Sequence, residues 1–350
     1  MAGSKAPDGT LVIDVLLNLC NLRSNAGLAF LSAIQSDIMA TKYSDLQRAS
    51  YSPNTTKKRK SDRSRASQVK TIQKKQARKR PSSEELTSDG EYSIEVQFSG
   101  GLSFSQQAVF EHAARRWEEV IVGDLQTVQL PTGEVVEGLL IDASGVSIDG
   151  ENGVLGRAGP QFVRNNGLPA KGIMEFDTAD LLRMEQEGSL EDVILHEMGH
   201  VIGIGTVWSD LSLLVGCPHF GSPNPVFLGD LALEEFNVLL GESADSIPVA
   251  NTGGPGTACG HWRENVFGNE LMTGFLSGSV RPLSRMTIAS LADMGYEVDM
   301  DAADPYELPT QRQMALMGIG AERHNAVCRM CGGGIRPIAP VAIPDEMHMD

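Results

Sequence analysis

Leu195-His196-Glu197-Met198-Gly199-His200-Val201-Ile202-Gly203 is the stretch from which the rest of the chain can be read. Its two histidines stand four apart with a glutamate directly after the first, an H-E-x-x-H spacing. On a helix, positions i and i+4 share one face, so both imidazoles can grip one metal ion. Glu197 then sits beside the ion rather than on it, where a carboxylate can take a proton from a metal-bound water. Three fixed positions in five do occur by chance on surface helices, so the setting decides. Ser189 is a candidate N-cap, with Glu191 and Asp192 in the first turn, where negative charge suits the helix dipole. Ile194, Met198, Val201 and Ile202 recur so as to bury the opposite face.

The chain has 350 residues, enough for one large domain or two ordinary ones with a substantial core. Its formal charge of −16 conceals an asymmetry. Residues 1–80 carry 16 Lys+Arg against 5 Asp+Glu, a net of +11, which leaves 13 against 40, or −27, for the remainder. An acidic body repels nucleic acid, so the basic segment is a separate feature and the catalytic domain is expected to bind none. Five cysteines (Cys20, Cys217, Cys259, Cys328 and Cys331) are too few and odd in number for a disulfide scaffold. No run is long and apolar enough to span a bilayer, and Asp14 and Asn18 interrupt the one candidate signal-peptide core, Leu11–Cys20.

Four segments are expected. Residues 1–50 read as an N-terminal leader, partly helical or disordered. Residues 51–90 read as a basic disordered linker, with Lys57-Lys58-Arg59-Lys60 and the cluster at 74–80 among Ser, Thr and Gln. Those clusters suit a nuclear localisation signal or a plain solvated leader, and they favour an intracellular setting while leaving the compartment open. Residues 91–306 carry the folded domain, and 307–350 a loop-rich tail. Within the domain, Ser93–Phe98, Val136–Asp142 and Gly172–Asp177 have strand character, while 105–122, about 189–202, 231–240 and 284–294 have helical periodicity. Ser284 is placed to cap the last helix and Gly295 to end it. His112 reads as a surface residue, and the turn Asp149-Gly150-Glu151-Asn152-Gly153 as a backbone device rather than a calcium loop. A strand–helix–strands–helix order is that of an α+β or α/β layer domain.

Catalytic zinc takes three protein ligands and keeps a fourth position open. Thr206 stands where the compact H-E-x-x-H-x-x-G-x-x-H pattern would put its third histidine, yet Gly203 occupies that pattern's glycine. A glycine there lets the chain leave the helix sharply and bring in a distant ligand. His261 is the chosen third ligand, in a loop-rich region beside Trp262 and eleven residues before Met272 in a tight Glu-Leu-Met-Thr-Gly turn. His219 is the nearer alternative. A carboxylate ligand around Glu242-Ser243-Ala244-Asp245 would make a different peptidase class, one that has no need for Gly203. Met272 has a plain reading too, as one of 14 methionines packed in a core. Cys217 and Cys259 bracket the insertion, either as a disulfide pinning the third ligand or as two reduced thiols, and Cys328 and Cys331 with His324 fall one ligand short of a structural zinc site.

HEMGHVIGIGTVW at 196–208, HW at 261–262 with NELMTG at 269–274, and LSRMTIASLADMGY at 283–296 together resemble the leishmanolysin family of metzincin zinc peptidases. In that family a long insertion separates the second and third zinc histidines. The similarity covers about residues 95–305, and FEHAARRWEEVI, IDGENGVLGRAGP and LPAKGIMEFD resemble the family's smaller microbial-type members. The resemblance implies a metzincin-type domain: a twisted mixed sheet with the active-site helix, then a loop-rich C-terminal subdomain with a Met-turn and a final helix. It implies His196, His200 and His261 as ligands of one catalytic Zn2+, Glu197 as catalytic acid/base and Met272 as the Met-turn residue. The active-site helix then spans about 189–202, the insertion 205–260, and the third-ligand and Met-turn region 261–296. The cysteine-rich pattern of the family's surface proteases is missing here. The expected function is a zinc endopeptidase acting on protein or peptide substrates through a metal-activated water. The alternative is an inactive, zinc-stabilised binding or adhesion domain, against which Glu197 speaks because a structural site has no use for a base.

Overall fold

The computed structural model describes residues 91–150, 155–217, 224–254, 256–275, 277–319 and 340–349. The expectations for residues 1–90, Cys20, His219, His324, Cys328 and Cys331 lie outside the described residues.

The central sheet has the order β1 (Ile94–Phe98), β4 (Leu139–Val146), β6 (Pro169–Asp177), β5 (Gly156–Val163) and β10 (Val341–Ala342). β1, β4 and β6 run parallel, β5 is antiparallel to β6, and β10 adds in parallel to the outer edge of β5. This is a mixed sheet with helices interleaved, a mixed α/β arrangement. Along β4 the side chains alternate between two cores: Leu139, Ile141 and Ala143 face the large one, and Leu140 faces the small one. Val136–Asp142, which reads as one strand in the sequence, is two. Val135–Val136 (β3) pairs with Val128–Gln129 (β2) as a hairpin, and the chain joins the sheet only from Leu139, whose amide donates to the Ser93 carbonyl at 2.8 Å.

Helix α1 (Phe104–Val120) starts at a capping box in which Ser103 and Gln106 satisfy each other's backbone amides, a device worth about 1 kcal/mol. Phe110, Ala113, Ala114, Trp117 and Val120 recur at three-to-four spacing and are buried. α1 packs on α3 (Leu190–Ile202), and the Trp117 indole donates to the Leu195 carbonyl at 3.0 Å. α3 lies in turn on β5 and β6.

Between β6 and α3 stands α2 (Thr178–Glu187), capped by Asp177 and closed by Gly188 in the left-handed region. The same Asp177 accepts from the amides of Ile148, Asp149 and Gly150 at 2.8–3.0 Å, so what is described of the acidic turn serves the backbone. Ser189 stands at the N-cap position of α3, as its place in the sequence suggests, but its side chain does not cap the helix. Its amide and hydroxyl both turn back to the Met184 carbonyl to finish α2, and α3 begins without a side-chain cap.

The segment after α3 contains a small sheet of β7 (Leu214–Val215), β8 (Val226–Phe227) and β9 (Ile247–Pro248), with α4 (Asp230–Leu240) between the last two. A short α5 (Glu264–Phe267) precedes α6 (Arg285–Met294), whose N-cap Ser284 accepts from the Thr287 amide and whose C-cap Gly295 is left-handed, as its sequence implies. α4 packs on α6, and Asp293 of α6 accepts from the first amides of α4.

The tail is not uniformly loop. α7 (Gln311–Leu316) has its own capping box from Thr310 and Gln313. Residues 340–349 form a strap: Ile343 enters the small core with Val128, Leu130, Val136, Leu140 and Ala170. Its amide donates to Val163 at 2.9 Å, and that of Met349 to Thr127 at 2.8 Å. Beneath it Arg164, fully buried, donates to the carbonyls of Gln126, Glu137, Gly138 and Pro169 and ties hairpin to sheet.

Candidate metal centre

Helix α3 carries His196 and His200 one turn apart, both fully buried on the side facing the C-terminal segments. The helix ends at Gly203, whose φ of 121° an L-residue rarely adopts. That reversal turns the Ile204 carbonyl back onto His200, where Nδ1 lies 2.8 Å from it. Two residues on, the chain passes so close to Gly260 that a Cβ at Gly205 would stand 2.0 Å from the Gly260 carbonyl oxygen. Glycine at 205 is therefore what admits the loop bearing His261 beside the helix end.

Two strand-like bridges hold His261 in that place. The Ala250 amide donates to the His261 carbonyl and the Trp262 amide to Met272, at 2.8 and 3.0 Å. Trp262 sits in an aromatic cluster with Trp208, Phe227 and Phe267. Cys217 and Cys259 form a disulfide with a Cα–Cα distance of 5.9 Å, which answers the question their spacing leaves open. Cys259, two residues before His261, has φ +73° and donates its amide to Ala250. Closing a 42-residue separation removes loop entropy from the unfolded chain, about 4 kcal/mol by the chain-entropy relation. Cys217→Ala/Cys259→Ala should therefore lower the denaturant-unfolding free energy by several kcal/mol; a change below about 1 kcal/mol would show that the cross-link contributes little.

The three imidazoles converge. Their Nε2 atoms form a triangle with sides of 3.0, 3.0 and 3.1 Å. Each Nδ1 meets a backbone carbonyl: His196 with Leu271 at 2.7 Å, His200 with Ile204 at 2.8 Å and His261 with Thr257 at 3.0 Å. A carbonyl only accepts, so each Nδ1 carries the ring proton and each Nε2 presents a lone pair to the other two. Burial pushes all three imidazoles down, His200 to about 4 and the others well below the usual range, so protonation at neutral pH does not relieve the clash. A metal ion does. Tetrahedral bonds of about 2.0–2.1 Å to zinc separate nitrogens by about 3.3 Å, within a few tenths of the triangle found. Among the described residues, this trio is the group of His, Cys, Asp and Glu side chains able to hold a metal.

Glu197 follows His196 on α3 and is fully buried beside the triangle. Met272 is fully buried too, and packs against the helix backbone between the histidines, where a Cβ at Gly199 would stand 3.0 Å from its sulfur. The remaining candidates are elsewhere. His112 is exposed and pairs with Glu191 at 2.6 Å, and Glu242 and Asp245 are exposed residues of the loop after α4. Reading the sequence did not single out Glu270, which is buried two residues before Met272. An acidic residue directly before the apolar pair Leu271-Met272 was the available signal.

Residues 139–309 match the family model described as leishmanolysin. Comparison with curated proteins gave no match.

Proposed function

From the premise that this chain is leishmanolysin-like over residues 139–309, a family of zinc metalloproteases, we propose that it is a zinc endopeptidase of metzincin type. The observation that carries the reading is the buried triangle of three Nε2 atoms with Glu197 in the same turn of helix. His196, His200 and His261 would hold the zinc, each kept in the right tautomer by its carbonyl. When bound, zinc supplies Lewis acidity that brings the pKa of a water toward neutrality and polarises a peptide carbonyl.

The Glu197 carboxylate accepts the proton of the attacking water and returns it to the leaving nitrogen, so one residue serves as base and then acid. Met272 gives the triangle an apolar floor and limits water on that side. Residues 91–306 form the peptidase domain in this reading, and its substrates are proteins or peptides.

The test is metal removal. Dialysis against a chelator should abolish casein cleavage by the full chain, and stoichiometric zinc should restore it. Cleavage indifferent to the chelator would reject the proposal, and zinc binding without any cleavage would favour the non-catalytic binding domain.

A further inference from the structure

The mechanism makes no use of Glu270, although its carboxylate is one of the most enclosed polar groups in the described residues, 1% exposed. Burying a carboxylate is costly unless donors surround it, and here four do. Oε2 accepts from the Met272 amide at 2.7 Å. Oε1 accepts from the Ser284 amide at 3.2 Å, from the Ser284 hydroxyl at 2.7 Å and from the Thr287 hydroxyl. Burial pushes this carboxyl up and the four donors pull it back.

Two lines of contact run from Glu270 to the histidines. Leu271, held between Glu270 and Met272, presents the carbonyl that meets Nδ1 of His196. Thr287, donating to Glu270, receives the indole N–H of Trp262 at 2.8 Å, and Trp262 is the neighbour of His261. His196 comes from a helix 65 residues before His261, and both lines end on one side chain. Ser284 joins Glu270 to the start of α6 and also touches Thr287, accepting from its amide at 3.2 Å, so it belongs to the same network.

We propose that Glu270 is a positioning residue for the metal centre, setting His196 through the Met272 turn and His261 through the Thr287–Trp262 relay. This rests on the reading that the triangle holds zinc. Partners lying behind metal ligands typically change affinity by roughly ten- to a hundredfold when altered. Glu270→Gln is the informative change, because an amide matches the carboxylate in size but must turn its NH2 group toward an N–H donor, either Met272 or Ser284.

The experiment measures the zinc dissociation constant by chelator competition on the full chain, with thermal midpoints in the presence and absence of zinc. Glu270→Gln should weaken zinc by about ten- to a hundredfold and shrink the rise in midpoint that zinc produces. Ser103→Ala, which removes the capping box of α1 and touches nothing in this network, should lower both midpoints alike and leave the dissociation constant within about threefold of wild type, as loss of a cap alone would. Should Glu270→Gln fail to fold, Thr287→Val carries the test, with zinc weakened by roughly tenfold through the broken relay. An unchanged dissociation constant in Glu270→Gln or in Thr287→Val, or an equal loss in Ser103→Ala, overturns the proposal. Wild type binding no zinc at all would instead overturn the reading of the metal centre itself.

Discussion

Glu197→Gln should keep its zinc and lose peptide hydrolysis by roughly a hundred- to ten-thousandfold, the usual contribution of a positioned general base. The substitution changes little but the proton chemistry. Glutamine has the size of glutamate, Glu197 lies outside the three-histidine triangle, and the flanking Ile194, Met198 and Val201 stay packed in the core. A carboxamide cannot accept a proton at neutral pH, so water loses its base while the metal keeps its ligands. The measurement pairs metal analysis of the purified variant with casein cleavage at matched protein concentration. A variant cleaving at near wild-type rate would remove Glu197 from the mechanism. One that lost zinc along with activity would make its role structural.

His261→Ala should strip the site of metal. Alteration of outer partners alone costs about ten- to a hundredfold in affinity, so deleting a ligand should cost more than about a hundredfold. Two imidazoles from one helix remain, and they leave an open side for water to compete at the ion. The variant should still fold, since Trp262 and its aromatic neighbours anchor the same loop and the Cys217–Cys259 bond closes it. Zinc content after gel filtration reads the effect directly. His112→Ala is the matched control: an exposed histidine on α1, paired with Glu191, whose loss should leave zinc content unchanged. Retention of full zinc by His261→Ala would break the triangle as a metal site and reopen the choice of third ligand.

Much of the framework is legible because it is written in local periodicities. α1 shows its apolar stripe from Val109 to Val120, though its cap at Ser103 emerges only in the structure, and α6 lies between Ser284 and Gly295. Strand β5 escapes the same reading. Gly156, Gly159 and Pro160 are poor strand formers, and only pairing with β6 makes 156–163 extended. α2 is missed for a different reason: its bracketing Asp177 and Gly188 are the right signals, but the following H-E-x-x-H helix invites a single start at Ser189. The strap at 340–349 has two strand residues, too few for any period, and is held by Ile343 in a core built from 128–170.

The sequence by itself determined the pair His196 and His200 and the acidic residue between them, because four residues along a helix is a fixed geometry that needs nothing else to fold. It also set the helix end at Gly203. Only the tertiary structure decided that His261 completes the triangle, that Cys217 meets Cys259, and that Glu270 ties the Met272 turn to α6. Those contacts close loops of tens of residues. No spacing rule governs such closures; they are selected by the apolar surface buried around Trp262, Met272 and Gly199 once the sheet and α3 are in place.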